Sequence, residues 1–310
     1  QRQMCIRDSL YPVRASVVKT TENKIKDMLV KRYNLHELHS YVWAYNDELK
    51  AIDIPVEDNV KLANATNPNI ETLRNSIVPT QLCQIKSNLS FSNDFGIFEI
   101  GRVVNGLDEN GLCIENKKLA ITLYSKTRNV KDIYFELRDI LAVVTDEIKH
   151  KALTFEKAEP THSYEHPVNL NSVCLDGRNI GTIGIVHPTV NKKIDKKAAI
   201  VFAEIDVNAY ANTEAAPIVY DEPSKFPPMD YDISVEVPQG MFFSHLAECW
   251  KNEGGEILKS TKIVDTYDTD TVHSVTIRFE FSSNERTLSS AEVQTVSYTH
   301  LRAHETAANL

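Results

Sequence analysis

The stretch SKFPPMDYDISVEV, Ser224 to Val237, sets the strongest constraint on how this chain can fold. Pro227 and Pro228 fix two successive φ angles and remove two backbone donors, so no regular element continues through them. Directly afterwards Ile233, Val235 and Val237 alternate with Ser234 and Glu236, the period-two pattern of a strand with one buried face. The chain is therefore expected to comprise at least two units. Its 310 residues, 42% of them hydrophobic, suffice for two cores.

The formal net charge of −9 argues against binding nucleic acid through a general basic field, so any such contact must be local. No apolar run of about 18 residues is present to span a membrane, and the start QRQMCIRDS lacks the apolar stretch of a secretory signal. The expected location is cytoplasmic. Cys5, Cys83, Cys113, Cys174 and Cys249 are odd in number and widely spaced, so they read as small, mostly buried hydrophobes rather than a disulfide framework or a zinc knuckle. The sequons at Asn64 and Asn88 carry no weight without a secretory route.

Both ends look foreign. The tail VSYTHLRAHETAANL continues none of the periodicity before it, and QRQMCIRDS is equally unrelated to the residues after it. Both resemble translated sequencing adapter, so residues 1–9 and 297–310 are set aside, together with His300 and His304. On this reading the body is an internal fragment of a longer protein.

Ile25, Met28, Leu29 and Tyr33 predict a helix from Thr21 to Tyr33, stopped at Asn34. HSYVWAYN predicts a strand. A second helix starts around Pro79, with Leu82, Ile85 and Leu89 on one face. FGIFEIGRVV predicts a strand ending in an Asn105-Gly106 turn, and KKLAITLYS another. Ile133, Leu137, Ile140, Leu141, Val144 and Ile148 mark the core stripe of a helix from Lys131 to His150. NSVCLDGRNIGTIGIVHP reads as a hairpin turning at Asp176-Gly177 and stopping at His187-Pro188, and AAIVFAEIDV adds a strand. Strands and helices without a regular βαβ beat predict an α+β, largely antiparallel sheet.

After Pro228 the order is strand (Ile233 to Val237), helix (Phe243 to Asn252), Gly254-Gly255 turn, strand (Ile257 to Tyr267), strand (His273 to Phe281) and a helix opening at Leu288. This βαββα order lacks only the last strand of a ferredoxin-like βαββαβ unit. That strand would pair with the first, so the first strand is expected to keep one open edge. In the third strand Val275, Ile277, Phe279 and Phe281 oppose Ser274, Thr276, Arg278 and Glu280. The polar set lines an open sheet face, either merely solvated or of the kind that sheet-based RNA readers use.

GRNIGTIG lacks the spacing and following helix of a phosphate loop, and the pairs His36/His39 and His162/His166 lack further ligands. No GxSxG elbow occurs, and local spacing supports no catalytic carboxylate pair or cysteine-histidine set.

Several motifs in one order rise above a generic α+β protein: NPNIETLRNSIVPTQL, SNLSFSNDFGIFEIGRVV, GTIGIVHPTVNKKI, then SKFPPMDYDISVEV and IVDTYDTDTVHSVTIRFEFSSNERTLSSAEV. This order resembles the carboxy-terminal part of bacterial phenylalanine-tRNA ligase beta chains over nearly all of residues 10 to 296. The resemblance implies a class II synthetase-like, mostly antiparallel, non-catalytic module at 10–215. A linker at 216–228 and a truncated ferredoxin-fold anticodon-binding domain at 229–296 come next. It also implies an alpha-subunit partner in an α2β2 assembly, with tRNA(Phe), through its anticodon stem-loop, as the RNA bound. No membrane or DNA is implied. ATP and Mg2+ belong to the holoenzyme's alpha chain, with no cofactor, metal or catalytic residue in this fragment. The competing readings are a free-standing RNA-binding module and a structural scaffold.

Class II active sites carry an arginine just ahead of an acidic residue on one strand and a second arginine at a glycine-preceded helix start. Here Glu99 precedes Arg102, and no such helix start exists. Arg74, Glu99 and Arg102 are thus expected to be structural or at an interface, and the subunit interface is expected at Arg74, Pro79, Leu82, Ile85 and Leu89. In the anticodon unit, Tyr231 stands before Asp232 where many relatives carry Arg, and residues 221–296 hold six Lys/Arg against fourteen Asp/Glu. RNA affinity must therefore come from stacking and from the rest of the assembly. The expected contacts are Lys225 and Arg286 for phosphate, Phe226 and Tyr267 for stacking, and Ser274, Thr276 and Arg278 for polar contacts.

Overall fold

The computed structural model describes residues 14–43, 45–56, 59–218, 220, 222, 224–237, 257–268 and 273–289. The chain divides between Ile218 and Val219 into two units. The sequence segments set aside at either end, the helix expected at 243–252, the Gly254-Gly255 turn, Cys5 and Cys249 lie outside the described residues.

In the first unit, helix α1 (Val17–Lys31) begins four residues before the expected start. Ser16 caps it, its Oγ accepting from the Lys19 N–H at 3.2 Å. The strand expected over HSYVWAYN does not form. Strand β1 is only His36–Glu37, Trp43 makes a single bridge to Leu73, and helix α2 (Asn46–Ala51) takes up the end of the run. The segment's backbone is tied to loops, with the Arg74 N–H donating to Val42 O at 2.8 Å, so alternating aromatics here do not signal a ladder. Helix α3 (Val78–Ser87) carries Pro79 in its first turn, where the missing N–H removes no helical bond, and Leu89 falls beyond its end.

Strands β2 (Asp94–Leu107) and β3 (Cys113–Ser125) form a long antiparallel pair. The expected Asn105-Gly106 turn is instead a bulge. The register slips between Val104 and Leu107, with Gly106 at φ +98°, and the chain reverses only around Asp108 to Leu112. Helix α4 (Val130–Lys149) buries all six residues of its predicted stripe. Strand β4 (Thr154–Lys157) precedes the predicted hairpin, β5 (Glu165–Leu175) and β6 (Arg178–Val186), which turns at Asp176-Gly177. His187-Pro188 ends β6 but also starts a helix, α5 (Pro188–Ile194), with the His187 Nδ1 accepting from the Thr189 N–H. Strand β7 (Ala199–Asp206) and helix α6 (Val207–Asn212) complete the unit. Cys83 and Cys174 are buried as expected, but Cys113, in the polar opening of β3, is exposed.

The seven strands order β1-β2-β3-β7-β6-β5-β4, and every pair is antiparallel except β1 with β2. Alternation divides their side chains between two cores. Phe98, Leu119, Ile121, Val201 and Ala203 pack with α1 and α4 on one face; Ile97, Ala120, Tyr124, Ile200 and Phe202 pack with α2, α3 and α5 on the other. Both faces are covered.

The second unit holds β8 (Met229–Val237), β9 (Leu258–Asp268) and β10 (His273–Phe281) in the order β8-β10-β9, both pairs antiparallel. This is the arrangement of the first three strands of a ferredoxin-like unit. Among the described residues no strand pairs with the outer edge of β8. Residues 284–289 are irregular, with Leu288 buried beside Ile277 and Phe279; the helix expected to open at Leu288 falls almost wholly on residues from 290 onward, which lie outside the described ones.

Gly181 gives a direct test of the sheet's closeness. A Cβ there would stand 2.1 Å from Glu204 O and 2.8 Å from Ile205 Cα, both backbone atoms that cannot swing away. Gly181→Ala is expected to destabilise the protein by about 2–3 kcal/mol, read as a lower urea midpoint at unchanged slope.

Candidate functional site

The second face of the large sheet carries a polar strip inside its apolar field. Glu99 on β2, Lys118 and Thr122 on β3 and Glu204 on β7 share this face with Ile97, Ala120, Tyr124 and Phe202. Acidic and hydroxyl groups on a sheet face suit substrate binding when the face is open. Here one short segment, residues 74–81, answers them one after another.

Arg74 Nη2 donates to Glu99 Oε1 at 2.7 Å and its Nη1 to Ser40 Oγ at 2.6 Å, while Ser40 Oγ donates to Glu99 Oε2 at 2.6 Å. Both charged side chains are only 3% exposed. Glu204 Oε1 accepts from Ser76 Oγ at 2.9 Å and from the Ile77 N–H at 2.7 Å, and its Oε2 accepts from Lys118 Nζ at 2.7 Å. Gln81 Nε2 donates to Ala120 O at 3.1 Å, and Thr122 Oγ1 donates to Gln81 Oε1 at 2.6 Å. The face's polar groups are thus satisfied from within the chain, as buried polar groups must be.

The interface residues expected from the sequence fall largely inside this plug. Arg74 is buried in the ion pair, and Leu82 and Ile85 are fully buried against the second face. They have no surface for a partner while the unit stays folded, because the apolar stripe of α3 is its core stripe. Pro79 and Leu89 are half-buried. On α3 and its cap the exposed side chains are instead Ser87 and Asn88.

The second unit's open face is fixed by register. Across β8 and β10 the facing pairs are Asp230/Glu280, Asp232/Arg278, Ser234/Thr276 and Glu236/Ser274, and β9 adds Ser260, Lys262, Asp265 and Tyr267 opposite the β10 members. Val275, Ile277, Phe279 and Phe281 are buried on the other side, as the alternation predicts. Among the described, paired residues five carboxylates therefore share the open face with two cationic side chains, Lys262 and Arg278.

Arg278 is clamped in two-point fashion, Nε to Asp232 Oδ1 and Nη2 to Asp232 Oδ2, both at 2.7 Å. The guanidinium's hydrogen bonds, then its charge, hold the Asp232 carboxyl below the usual carboxylate range. Ser234 and Thr276 hydroxyls pair at 2.8 Å, and Ser260 Oγ donates to Glu280 Oε2 at 2.7 Å. Of the expected contacts on this face, Arg278 and Thr276 already have partners in the sheet.

The remaining candidates separate to the two ends. Ser224 Oγ donates to Ser283 O at 2.7 Å and accepts from the Phe226 N–H at 3.1 Å, which brings Lys225 and half-buried Phe226 to the chain end that carries exposed Arg286. Tyr267, 67% exposed, and Ser274 sit at the opposite end of β10. The seven residue steps from Ser274 to Phe281 make the strand between the two ends about 23 Å long.

Sequence reading placed Glu99 with Arg74 as structural or interfacial but missed the second acid of the plug, Glu204. A lone Glu inside the apolar run IVFAEID is the signal that could have found it. Asp232 as the partner of Arg278 depends on strand register, which local pattern does not contain.

The family model for the phenylalanyl tRNA synthetase beta chain CLM domain matches residues 9–207, and that for the ferredoxin-fold anticodon binding domain matches residues 224–309. Among curated proteins, the chain is similar to the phenylalanine–tRNA ligase beta subunit of Bacillus subtilis (strain 168), 27% identical over 81% of this chain and 33% of that protein. It is similar to those of Vibrio vulnificus (strain YJ016), 26% over 87% and 35%, and Aquifex aeolicus (strain VF5), 24% over 87% and 35%. The chain spans about a third of the length of the curated relatives it matches.

Removing one member of the buried pair tests the plug. Arg74→Met leaves Glu99 buried without its cation and is expected to cost about 3–5 kcal/mol, whereas the double variant Arg74→Met/Glu99→Leu recovers most of it. Chemical denaturation of the three proteins checks this.

Proposed function

Since the chain belongs to the phenylalanyl-tRNA synthetase beta-chain family, we propose that it forms a non-catalytic, carboxy-terminal part of a phenylalanine-tRNA ligase beta subunit. The first unit serves as a folded platform for an alpha subunit, and the second meets the anticodon stem-loop of tRNA(Phe). In this reading the alpha subunit binds ATP and Mg2+ and joins phenylalanine to the tRNA, within a cytoplasmic α2β2 assembly.

The observation that carries the division of labour is the engagement of the sheet's polar strip by residues 74–81. The groups present do not fit a nucleotide and its metal: Glu99 and Glu204 are 2% and 6% exposed and already bonded to Arg74, Ser76 and Lys118. No reaction step is assigned to this chain. Binding to alpha is assigned to surface outside the α3 stripe.

On the RNA side, the acidic open face repels phosphate, and Arg278 is neutralised by Asp232. Phosphate contact is therefore assigned to the end bearing Lys225 and Arg286. Phe226 there and Tyr267 at the far end offer ring faces for stacking. With so few basic groups, the unit depends on the assembly for affinity.

Co-expression with a bacterial phenylalanine-specific alpha chain, followed by size exclusion with light scattering, is expected to give a complex near 2:2 stoichiometry. A chain that stays apart from alpha yet shifts an anticodon stem-loop RNA by itself would favour a free-standing RNA-binding module.

In the assembled enzyme, Asp232→Asn releases Arg278 and removes one negative charge, so tRNA affinity is expected to rise several-fold. The same substitution removes a native-state contribution that is present above the free aspartate pKa of about 4 and lost as pH falls through the lower folded value. Filter binding at fixed salt, with an acid titration of unfolding, reads both effects.

A further inference from the structure

We propose that the open cleft between the first turns of α1 and the segment leaving α6 is a binding site for a phosphate group carried on a larger molecule. The cleft measures about 470 Å³, and Thr20, Thr21, Lys24, Lys149, Thr213 and Glu214 are among its lining residues. It lies wholly within the first unit and owes nothing to the RNA-binding reading of the second.

Lys149 is the central observation. It is only 4% exposed, yet among the described residues no carboxylate is one of its partners. Its Nζ donates to Ala211 O at 2.9 Å and Thr213 O at 2.5 Å and lies 5.4 Å from the centre of the Tyr210 ring. Two carbonyls and a ring face offer partial negative charge, and an ammonium has three donors. A lysine this buried is ordinarily paired with an anion. Burial first, then the like charges of Lys151 and Lys24, hold its ammonium below the ordinary lysine range.

The surroundings reinforce the deficit. Lys24 faces the same cleft, is exposed, and has no hydrogen bond or ion pair among the described residues. Lys151 nearby is paired with Asp176 at 2.5 Å. Glu22, adjacent on α1, is engaged by Lys19 and Lys117. Among the described lining residues Glu214 is the only carboxylate, and it is exposed and not paired with Lys24 or Lys149.

Lys24 and Lys149, both among the lining residues of the cleft, suit a tetrahedral oxyanion that accepts several charge-assisted hydrogen bonds, with the hydroxyl of Thr21 beside them. The volume exceeds a bare phosphate and falls in the range of small-ligand clefts. The group could arrive as a nucleic-acid backbone phosphate or as a free polyphosphate.

The test uses the full chain with methyl-labelled threonine and isoleucine. Inorganic pyrophosphate, and separately a short single-stranded RNA, are titrated at matched ionic strength while the methyl signals of Thr20, Thr21 and Ile148 are monitored. The expected result is saturable shifts at these methyls, with an apparent dissociation constant raised about tenfold in Lys24→Gln at an unchanged unfolding midpoint. A response to pyrophosphate identifies a free polyphosphate as sufficient, and a response to RNA alone identifies the backbone source; either supports the site. No saturable shift with either probe, or equal affinity in Lys24→Gln, overturns it. Lys149→Met provides the second check, because a variant that folds and binds as before also overturns the proposal.

Discussion

The first unit depends on one constraint: a strip of polar side chains in the middle of a sheet face must be satisfied without water. Glu99, Lys118, Thr122 and Glu204 occupy positions whose neighbours on the same face are Ile97, Ala120, Tyr124 and Phe202. An unpaired carboxylate among them would be costly enough to open the fold. Residues 74–81 resolve this by supplying a guanidinium, a hydroxyl, a backbone N–H and an amide in step with strands β2, β7 and β3. Once they do so, α3 is committed to that face, and its apolar stripe closes the second core. The loss of an open sheet face and the stability of the unit are the same event.

The second unit solves a different problem. Its sheet buries one face through the alternation of Val275, Ile277, Phe279 and Phe281 and leaves the other to solvent. There the charges are arranged in register, with Arg278 opposite Asp232 and Ser234 opposite Thr276, so the cation that looks most available in the sequence is the one most firmly held. A partly exposed pair of this kind contributes little stability. Its larger effect is on the field of the surface, where it cancels a charge that phosphate would otherwise meet.

How much was legible depends on the range over which each signal acts. The α4 stripe, the Asp176-Gly177 hairpin and the β10 alternation are local periodicities, and each appears where the sequence places it. The 39–46 run failed because aromatic residues that decorate a loop and a helix start mimic a strand, and only the backbone partner Arg74 distinguishes them. Asn105-Gly106 failed because a glycine at positive φ serves a bulge as readily as a turn. The α3 residues were placed correctly on one face, but a helix stripe cannot say whether that face meets the chain's own sheet or another chain. Lys149 passed unnoticed because a lysine in a last helical turn ordinarily favours the helix dipole from solvent; its burial arises from α6, some 60 residues later in the chain.

Under the proposed role, the acidity of the second unit becomes a condition on how RNA is recognised rather than an obstacle to it. Non-specific binding scales with the number of phosphates neutralised, and a face with five carboxylates to two cations holds that contribution down. Affinity under that role must then rest on contacts that need a particular geometry: ring faces at Phe226 and Tyr267, near opposite ends of β10, and cations at the Lys225 and Arg286 end. In that reading an RNA that satisfies one end alone would gain little, and discrimination would come from spanning both. That span would follow the nine-residue strand β10, which pairs residue for residue with β8, the strand that follows the Pro227-Pro228 break.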